Sequence, residues 1–202
     1  KTDKVMKKKQ FDFRKMSFYQ IWIRSFCDGN GDGIGDLYGV YEKLDYIKSL
    51  GVDGIWFSPI FPSPNADYGY DISDYYKTAE RYGTNDELKE LFDEAHKRGM
   101  HIILDLVPGH TSIEHPWFKE SMKAKRNEFS DRYVWTNSVW DNGGMTCIRG
   151  FSERDGSCAV NFFSHQPALN YGFYNPQKPW QKSMDDEGPR ATFEEMMNVI
   201  RF

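Results

Sequence analysis

Between residues 18 and 107 the hydrophobic positions switch repeatedly between two periods. Residues 18–26 (FYQIWIRSF) are β-branched and aromatic, are bounded by a Gly/Asp cluster, and predict a strand. Leu37, Val40, Leu44, Ile47 and Leu50 then recur at helical spacing up to Gly51. Residues 54–57 (GIWF) predict a short, wholly apolar strand. In the next helix Thr84 and Glu87 are spaced as a capping box, Leu88, Leu91, Phe92 and Ala95 share one face, and Gly99 ends the helix. Residues 101–107 (HIILDLV) predict a third strand, apolar enough to be covered on both faces.

Strand, helix, strand, helix, strand predicts a parallel α/β sheet, and period alone does not choose between an open doubly wound sheet and a closed barrel. After Val107 the rhythm stops. Residues 108–189 are rich in Gly, Asn, Ser and aromatics, with short strand-like pieces such as 158–163 (CAVNFF). That is too long for a structureless loop in a compact domain and predicts a small inserted lobe. Thr192 and Glu195 have capping-box spacing, with Phe193, Met196, Met197 and Ile200 at helical spacing behind them. This predicts a final helix over 190–202 that is still running at Phe202, so the chain is expected to continue beyond it.

The chain has 202 residues, 39% hydrophobic and 28% charged, with a net charge of -4, so it lacks the field that gathers nucleic acid or anionic membrane. Aromatics reach 16%; they suit sugar faces, but a well-filled core uses them too, and composition favours the core. Cys27, Cys147 and Cys158 make no CxxC pair, so free thiols are expected, with a Cys147–Cys158 bridge as the alternative in an oxidising compartment. No apolar run approaches a membrane span. Basic residues crowd the segment before Met16 with no hydrophobic stretch behind them, which predicts a solvated tail over 1–17 and no signal peptide. A cytoplasmic location is therefore expected over secretion.

Two stretches carry candidate chemistry. In 28–36 (DGNGDGIGD), Asp28, Asn30, Asp32 and Asp36 place oxygen-bearing side chains close together, and with a backbone carbonyl at Ile34 they suit Ca²⁺. Position 39 is Gly, so the loop departs from an EF-hand, and an Asx-rich turn without an ion is the bland alternative. No G-x-G-x-x-G register fits a dinucleotide. Around the carboxyl ends of the second and third strands, where parallel α/β folds place their chemistry, stand Asp67 and Tyr70 after the second and Asp105 and His110 in and after the third. A carboxylate, an aromatic ring and an imidazole there can bond hydroxyls and stack on a ring; taken singly, Asp105 as a loop cap, His110 as a satisfied turn residue and Tyr70 as core are the bland alternatives.

In order, YQIWIRSF, DGNGDGIGDL, KLDYIKSLGVDGIWFSPIFPSP, DYGYDISDYY and DLVPGHTSIEHPWF resemble the α-amylase family of glycoside hydrolases, especially its α-glucosidase and oligo-1,6-glucosidase branch. The resemblance runs over nearly the whole chain. It implies a (β/α)₈ TIM barrel with a lobe inserted after the third strand, three barrel units over 18–107, and cleavage of α-glucosidic bonds with retention. It further implies a structural Ca²⁺ held by Asp28, Asn30, Asp32, Asp36 and the Ile34 carbonyl. Tyr70 would stack on the sugar whose bond is cut, Asp67 would bind hydroxyls at its non-reducing end, His110 its 6-hydroxyl, and Asp105 would order the site's charges. The substrate is expected to be an α-glucan or α-gluco-oligosaccharide, trimmed from its end.

Two positions depart from the family pattern: Gly109, where Asn is usual, and Ala168, which makes QPALN of a QPDLN signature. The first removes the expectation of a second calcium, and the second leaves the branch open. By the resemblance the nucleophilic Asp and the acid Glu lie on strands beyond Phe202, so this chain alone is expected to be inactive. A transfer, isomerisation or phosphorolysis reaction, and a non-catalytic sugar-binding partner, are the alternatives.

Overall fold

The computed structural model describes residues 12–202; most of the basic tail expected over 1–17 lies outside them. Three parallel strands, β1 (Phe18–Ile21), β2 (Gly54–Phe57) and β3 (His101–Leu104), pair in the order β1-β2-β3. Their registers align Phe18 with Gly54 and His101, and Ile21 with Phe57 and Leu104. Between them run α1 (Leu37–Glu42), α2 (Leu44–Ser49) and α3 (Asn85–Lys97).

Side chains alternate across a strand, so one face carries Tyr19, Ile21, Ile55, Phe57, Ile102 and Leu104. All six join a core with Leu37, Val40, Leu44, Ile47, Leu91 and Ala95 from the three helices. The helices therefore cover a single face, which is the winding of a barrel wall and not of a doubly wound sheet. Among the described residues the barrel is not closed. The other face bears Gln20, Trp56 and Ile103, and the last two are 38% and 37% exposed. Ile103 corrects the expectation of a third strand covered on both faces. Only the helix side is covered, and β3 pairs with β2 on one edge.

Local signals hold for α3. Thr84 Oγ1 accepts from the Glu87 amide, the Glu87 carboxylate accepts from the Thr84 amide at 2.6 Å, and Gly99 has a left-handed φ of 70°. Other expectations change. The first strand stops at Ile21 and gives way to a 3₁₀ turn, Ile23–Ser25. The helix expected over 37–50 is broken at Lys43 into α1 and α2, although Leu44 and Ile47 stay buried.

The lobe segment contains α4 (Pro116–Ser121) and a small antiparallel pair, β4 (Cys147–Ile148) and β5 (Cys158–Ala159). A second core gathers Phe118, Tyr133, Trp135, Cys158 and Leu169 with Ile72 and Tyr75 from the loop after β2. Cys147 faces Ala159 and Ile148 faces Cys158, so the two cysteines point to opposite faces of this pair. All three cysteines are free thiols.

The last helix, α5 (Glu187–Arg201), begins earlier than the pattern predicts and is not capped by Thr192. Pro189 suits the first turn, where its missing N–H costs nothing. Thr192 lies inside the helix, its hydroxyl donating to the Gly188 carbonyl at 3.0 Å, while the Glu195 carboxylate accepts from the Tyr76 hydroxyl at 2.8 Å. Among the described residues no helix is long and apolar enough to cross a membrane.

Thr84→Ala removes the cap of α3 and is expected to lower stability by about 1 kcal/mol, with Thr84→Ser restoring most of it. Urea midpoints of the three proteins measure this, and an unchanged midpoint in Thr84→Ala would count against a working cap.

Candidate functional site

The site is built at the carboxyl ends of β2 and β3. Asp105 follows β3 directly, its amide still donating to the Phe57 carbonyl at 3.2 Å. Its carboxylate is gripped from two sides. Trp56 Nε1 donates to Oδ1 at 3.0 Å, and the Tyr70 hydroxyl donates to Oδ2 at 2.8 Å. Burial, and then the bond to Asp105, raise the Tyr70 pKa, so its hydroxyl remains a donor across the neutral range.

Tyr70 reaches Asp105 because the loop before it is wound around Asp71. That carboxylate is fully buried and accepts from the Ser63 hydroxyl at 2.7 Å, the Ala66 amide at 3.0 Å and the Asp67 amide at 3.2 Å. Curling the chain this tightly drives Asn65 and Tyr68 to positive φ, 58° and 52°. A bulky side chain rarely adopts that conformation, so the loop stores strain that these bonds hold in place. The Tyr70 amide closes the turn on the Asp67 carbonyl at 2.9 Å.

The lobe supplies the opposite wall. His110 is buried; its Nε2 lies 3.1 Å from the Tyr70 carbonyl and its Nδ1 3.1 Å from Asn161 Nδ2. Burial lowers its pKa below the usual histidine value. Gln166, also buried, accepts from the Phe162 and Phe163 amides through Oε1 and donates its Nε2–H to Asp67. The exposed ring of Phe162 stands edge-on to His110, with centroids 6.3 Å apart. Asp67, Tyr70, Asp105 and His110, all picked out by sequence, are thus brought into one hydrogen-bonded group. Trp56, Asp71, Asn161 and Gln166 were not picked out as site residues. The only available signal was alternation, which puts Trp56 on the opposite face from Ile55 and Phe57, together with the polar Gln in QPALN.

Chemically the group offers two carboxylates, a phenol, an imidazole and an amide beside indole, phenol and phenyl rings. Such a set bonds hydroxyls around a ring while presenting apolar surface to its faces. A concavity of about 720 Å³ runs past the end of β3 between α3 and α5 and is lined by Phe92, Leu104, Asp105, Leu106 and Phe202.

The loop over 28–36 is a string of Asx turns. Asp28 accepts from the Gly31 and Gly33 amides at 2.7 Å each, Asn30 from Asp32 at 2.9 Å, and Asp32 from Ile34 at 2.8 Å. The bonds from Gly33 and Gly31 hold the Asp28 pKa below the ordinary carboxylate value. Asp36 is buried and caps α1, accepting from the Gly39 amide at 2.7 Å. Gly39 is obligatory there, because a Cβ would stand 2.0 Å from the Cys27 carbonyl oxygen. Every side-chain donor in the loop is a hard oxygen, which fits a cation such as Ca²⁺. Among the described residues no three His, Cys, Asp or Glu side chains converge as a metal cluster.

A family model described as the alpha amylase catalytic domain matches residues 20–171. The chain belongs to the α-amylase family. It is 47% identical over 168 residues to an oligo-1,6-glucosidase of Heyndrickxia coagulans, covering 79% of this chain and 30% of the relative. It is 41% identical over 200 residues to a trehalose synthase/amylase of Mycolicibacterium smegmatis, covering 94% and 31%. The crystal structure of an alpha-glucosyl transfer enzyme superposes with a TM-score of 0.78 at 37% identity, covering 92% of this chain and 34% of that one. The chain thus spans about a third of the length of these relatives.

Beside the site, His115 is also buried; its Nδ1 accepts from the Trp117 amide at 3.1 Å, and burial pushes its pKa down to about 3. For both His110 and His115 the folded value lies below the unfolded value of about 6.5. The unfolded chain therefore binds more protons as pH falls. Their contribution to stability is full above about pH 6.5 and is lost as the pH drops through that value towards the folded-state pKa. Each is expected to cost up to about 1.4 kcal/mol per pH unit in that window, whose upper part, from about pH 6.5 to 5, lies above the range where carboxylates titrate. Urea midpoints between pH 7 and 5 should fall in the wild type and fall less steeply in His115→Gln; parallel profiles would contradict this.

Proposed function

We propose that the protein acts on α-glucosides and that this chain holds the terminal glucose ring of the substrate at the carboxyl ends of β2 and β3. The observation that carries the reading is the hydrogen-bonded group joining Asp67, Tyr70, Asp105 and His110, in a chain of this family. Tyr70 presents its ring to the sugar, Asp67 bonds hydroxyls at the non-reducing end, His110 bonds the 6-hydroxyl, and Asp105 anchors Tyr70. The GYD form of the Asp67–Asp71 loop, similar to that of enzymes that trim single glucose units from chain ends, supports a chain end over an internal glucose.

The reaction proposed is retaining cleavage of the α-glucosidic bond, which uses a nucleophilic carboxylate and a protonated one roughly 5–5.5 Å apart. Neither role falls to the acids assembled here. Asp71 is enclosed by loop donors, Asp105 is held by Trp56 and Tyr70, and Asp67 by Gln166. The 202-residue chain alone is therefore proposed to bind sugar without cleaving it. Further strands are proposed to complete the barrel against the open edge of β3, where Ile103 and Leu106 are exposed. Transfer of the glucosyl group to another acceptor is the second reading. It is favoured by the relatives described as a trehalose synthase/amylase and an alpha-glucosyl transfer enzyme.

Methyl α-glucoside titrated into the ¹⁵N-labelled chain is expected to shift site resonances with millimolar affinity, and Tyr70→Ala to abolish the shifts. Incubation with p-nitrophenyl α-glucoside should release no p-nitrophenol. Absence of binding would remove the sugar reading, and turnover would remove the claim that the chain alone is inactive.

A structural Ca²⁺ in the loop after β1 is the second part of the proposal, held by Asp28, Asn30, Asp32, the Ile34 carbonyl and Asp36. Bound there, it would offset two of the three negative charges of Asp28, Asp32 and Asp36 and brace the start of α1. Calcium at 100 times its Kd is expected to stabilise the chain by about 2.7 kcal/mol, seen as a higher Tm than in chelator. Asp28→Asn with Asp32→Asn should abolish that difference; a Tm indifferent to calcium in the wild type would dispose of the ion.

A further inference from the structure

His110 is held at both ring nitrogens, and the chemistry of its partners dictates its protonation. Nε2 lies 3.1 Å from the Tyr70 carbonyl, which can only accept, so Nε2 carries a proton. In a neutral imidazole Nδ1 then has a lone pair and needs a donor, and the Asn161 amide stands 3.1 Å away. The surroundings favour the neutral ring: burial is the dominant influence and opposes a charge there. The bond to the Tyr70 carbonyl, and then Asp67 and Asp71, act against it, while His165 acts in the same direction as burial.

Position 109 explains how the amide comes so close. A Cβ on Gly109 would lie 2.8 Å from Asn161 Nδ2 and would meet nothing else within 4 Å. The space a side chain would occupy is the space one amide uses.

We propose that Asn161 is a positioning residue whose N–H fixes the ring plane of His110 and holds it as the tautomer protonated on Nε2, and that residue 109 is glycine to admit that amide. This rests on the reading of His110 as a sugar contact and adds to it. The imidazole is held as a neutral ring, and its Nε2–H, which donates to the Tyr70 carbonyl, is the one ring N–H that a sugar hydroxyl could share. The pairing spans 51 residues and ties the start of the lobe segment to the stretch that follows β5. Sugar affinity therefore depends on a side chain that need not touch sugar.

The tautomer is measurable without any ligand. Long-range ¹H–¹⁵N correlation spectra of the 202-residue chain are expected to show His110 protonated at Nε2 alone at pH 7, titrating with a midpoint below 6.5. Asn161→Asp puts an acceptor against Nδ1 and calls for a second proton, so the midpoint should rise above 6.5. Gly109→Ala and Asn161→Leu both remove the amide contact. Each should weaken methyl α-glucoside binding roughly tenfold. The double variant should lose no more than either single one, since both act on one interaction. A wild-type ring protonated on Nδ1, a midpoint unmoved by Asn161→Asp, or additive losses would overturn the proposal. The Asn161→Asp titration and the Gly109→Ala affinity are independent measurements, so failure of one variant to fold leaves the other decisive. If the wild type binds no glucoside while His110 titrates as described, the sugar-site reading falls and the tautomer assignment stands.

Discussion

The carboxyl end of this sheet is organised by a charge that water cannot reach. Asp71 is fully buried, and an enclosed carboxylate left short of partners costs several kcal/mol. Its donors are the Ser63 hydroxyl and the amides of Ala66 and Asp67, so the chain from 63 to 71 has to close on itself to supply them. Closing it forces Asn65 and Tyr68 through left-handed conformations and turns Tyr70 towards β3. From Tyr70 the network runs in two directions, through its hydroxyl to Asp105 and through its carbonyl to His110. The winding of the loop is thus held by a buried carboxyl group, and the polar groups at its mouth take their positions from that winding.

Stability and chemistry are assigned to opposite faces of the three strands. The helices take the face bearing Ile21, Ile55, Phe57 and Leu104, and this layer holds the larger of the two apolar cores. The face left open carries Trp56, whose indole N–H reaches forward to Asp105. A single side chain on that face therefore ties the strands to the site without drawing on the residues that pack the helices. Alternation along GIWF makes this division possible, because adjacent residues point to different layers.

What was legible in the sequence was what local chemistry determines. The start of α3 could be read because its cap, its apolar face and its terminal glycine all lie within sixteen residues and agree. The same Thr-x-x-Glu spacing misled at Thr192. A threonine hydroxyl is equally satisfied inside a helix by the carbonyl one turn back, and Glu195 answers to Tyr76, 119 residues away. The four site residues found by sequence stand where strand ends project them. Gln166 and Asn161 were missed because their partners, Asp67 and His110, lie 99 and 51 residues distant, and no pattern within the CAVNFF run indicates that its asparagine reaches His110. The third strand's exposed face was misjudged for a related reason. A run such as HIILDLV reports that residues are apolar, but which elements cover them depends on the rest of the fold.

The loop after β1 shows how a possible ion site and the helix layer share a residue. Asp36 caps α1, and the amide of Leu37, the first residue of that helix, donates to the Tyr82 carbonyl just ahead of α3 at 2.9 Å. Gly35 and Asp36 in turn donate to the carbonyls of Arg24 and Cys27 behind them. The carboxylate is therefore fixed by the fold, whereas Asp28, Asn30 and Asp32 lie exposed and are ordered only by their own turn amides. A cation drawing these groups together would act mainly on the exposed turns, since Asp36 has little freedom left to lose. Its stabilising effect would pass through Asp36 into α1 and the helical core, and the hydrogen-bonded group around Asp71 and Tyr70 would retain its own, separate source of order.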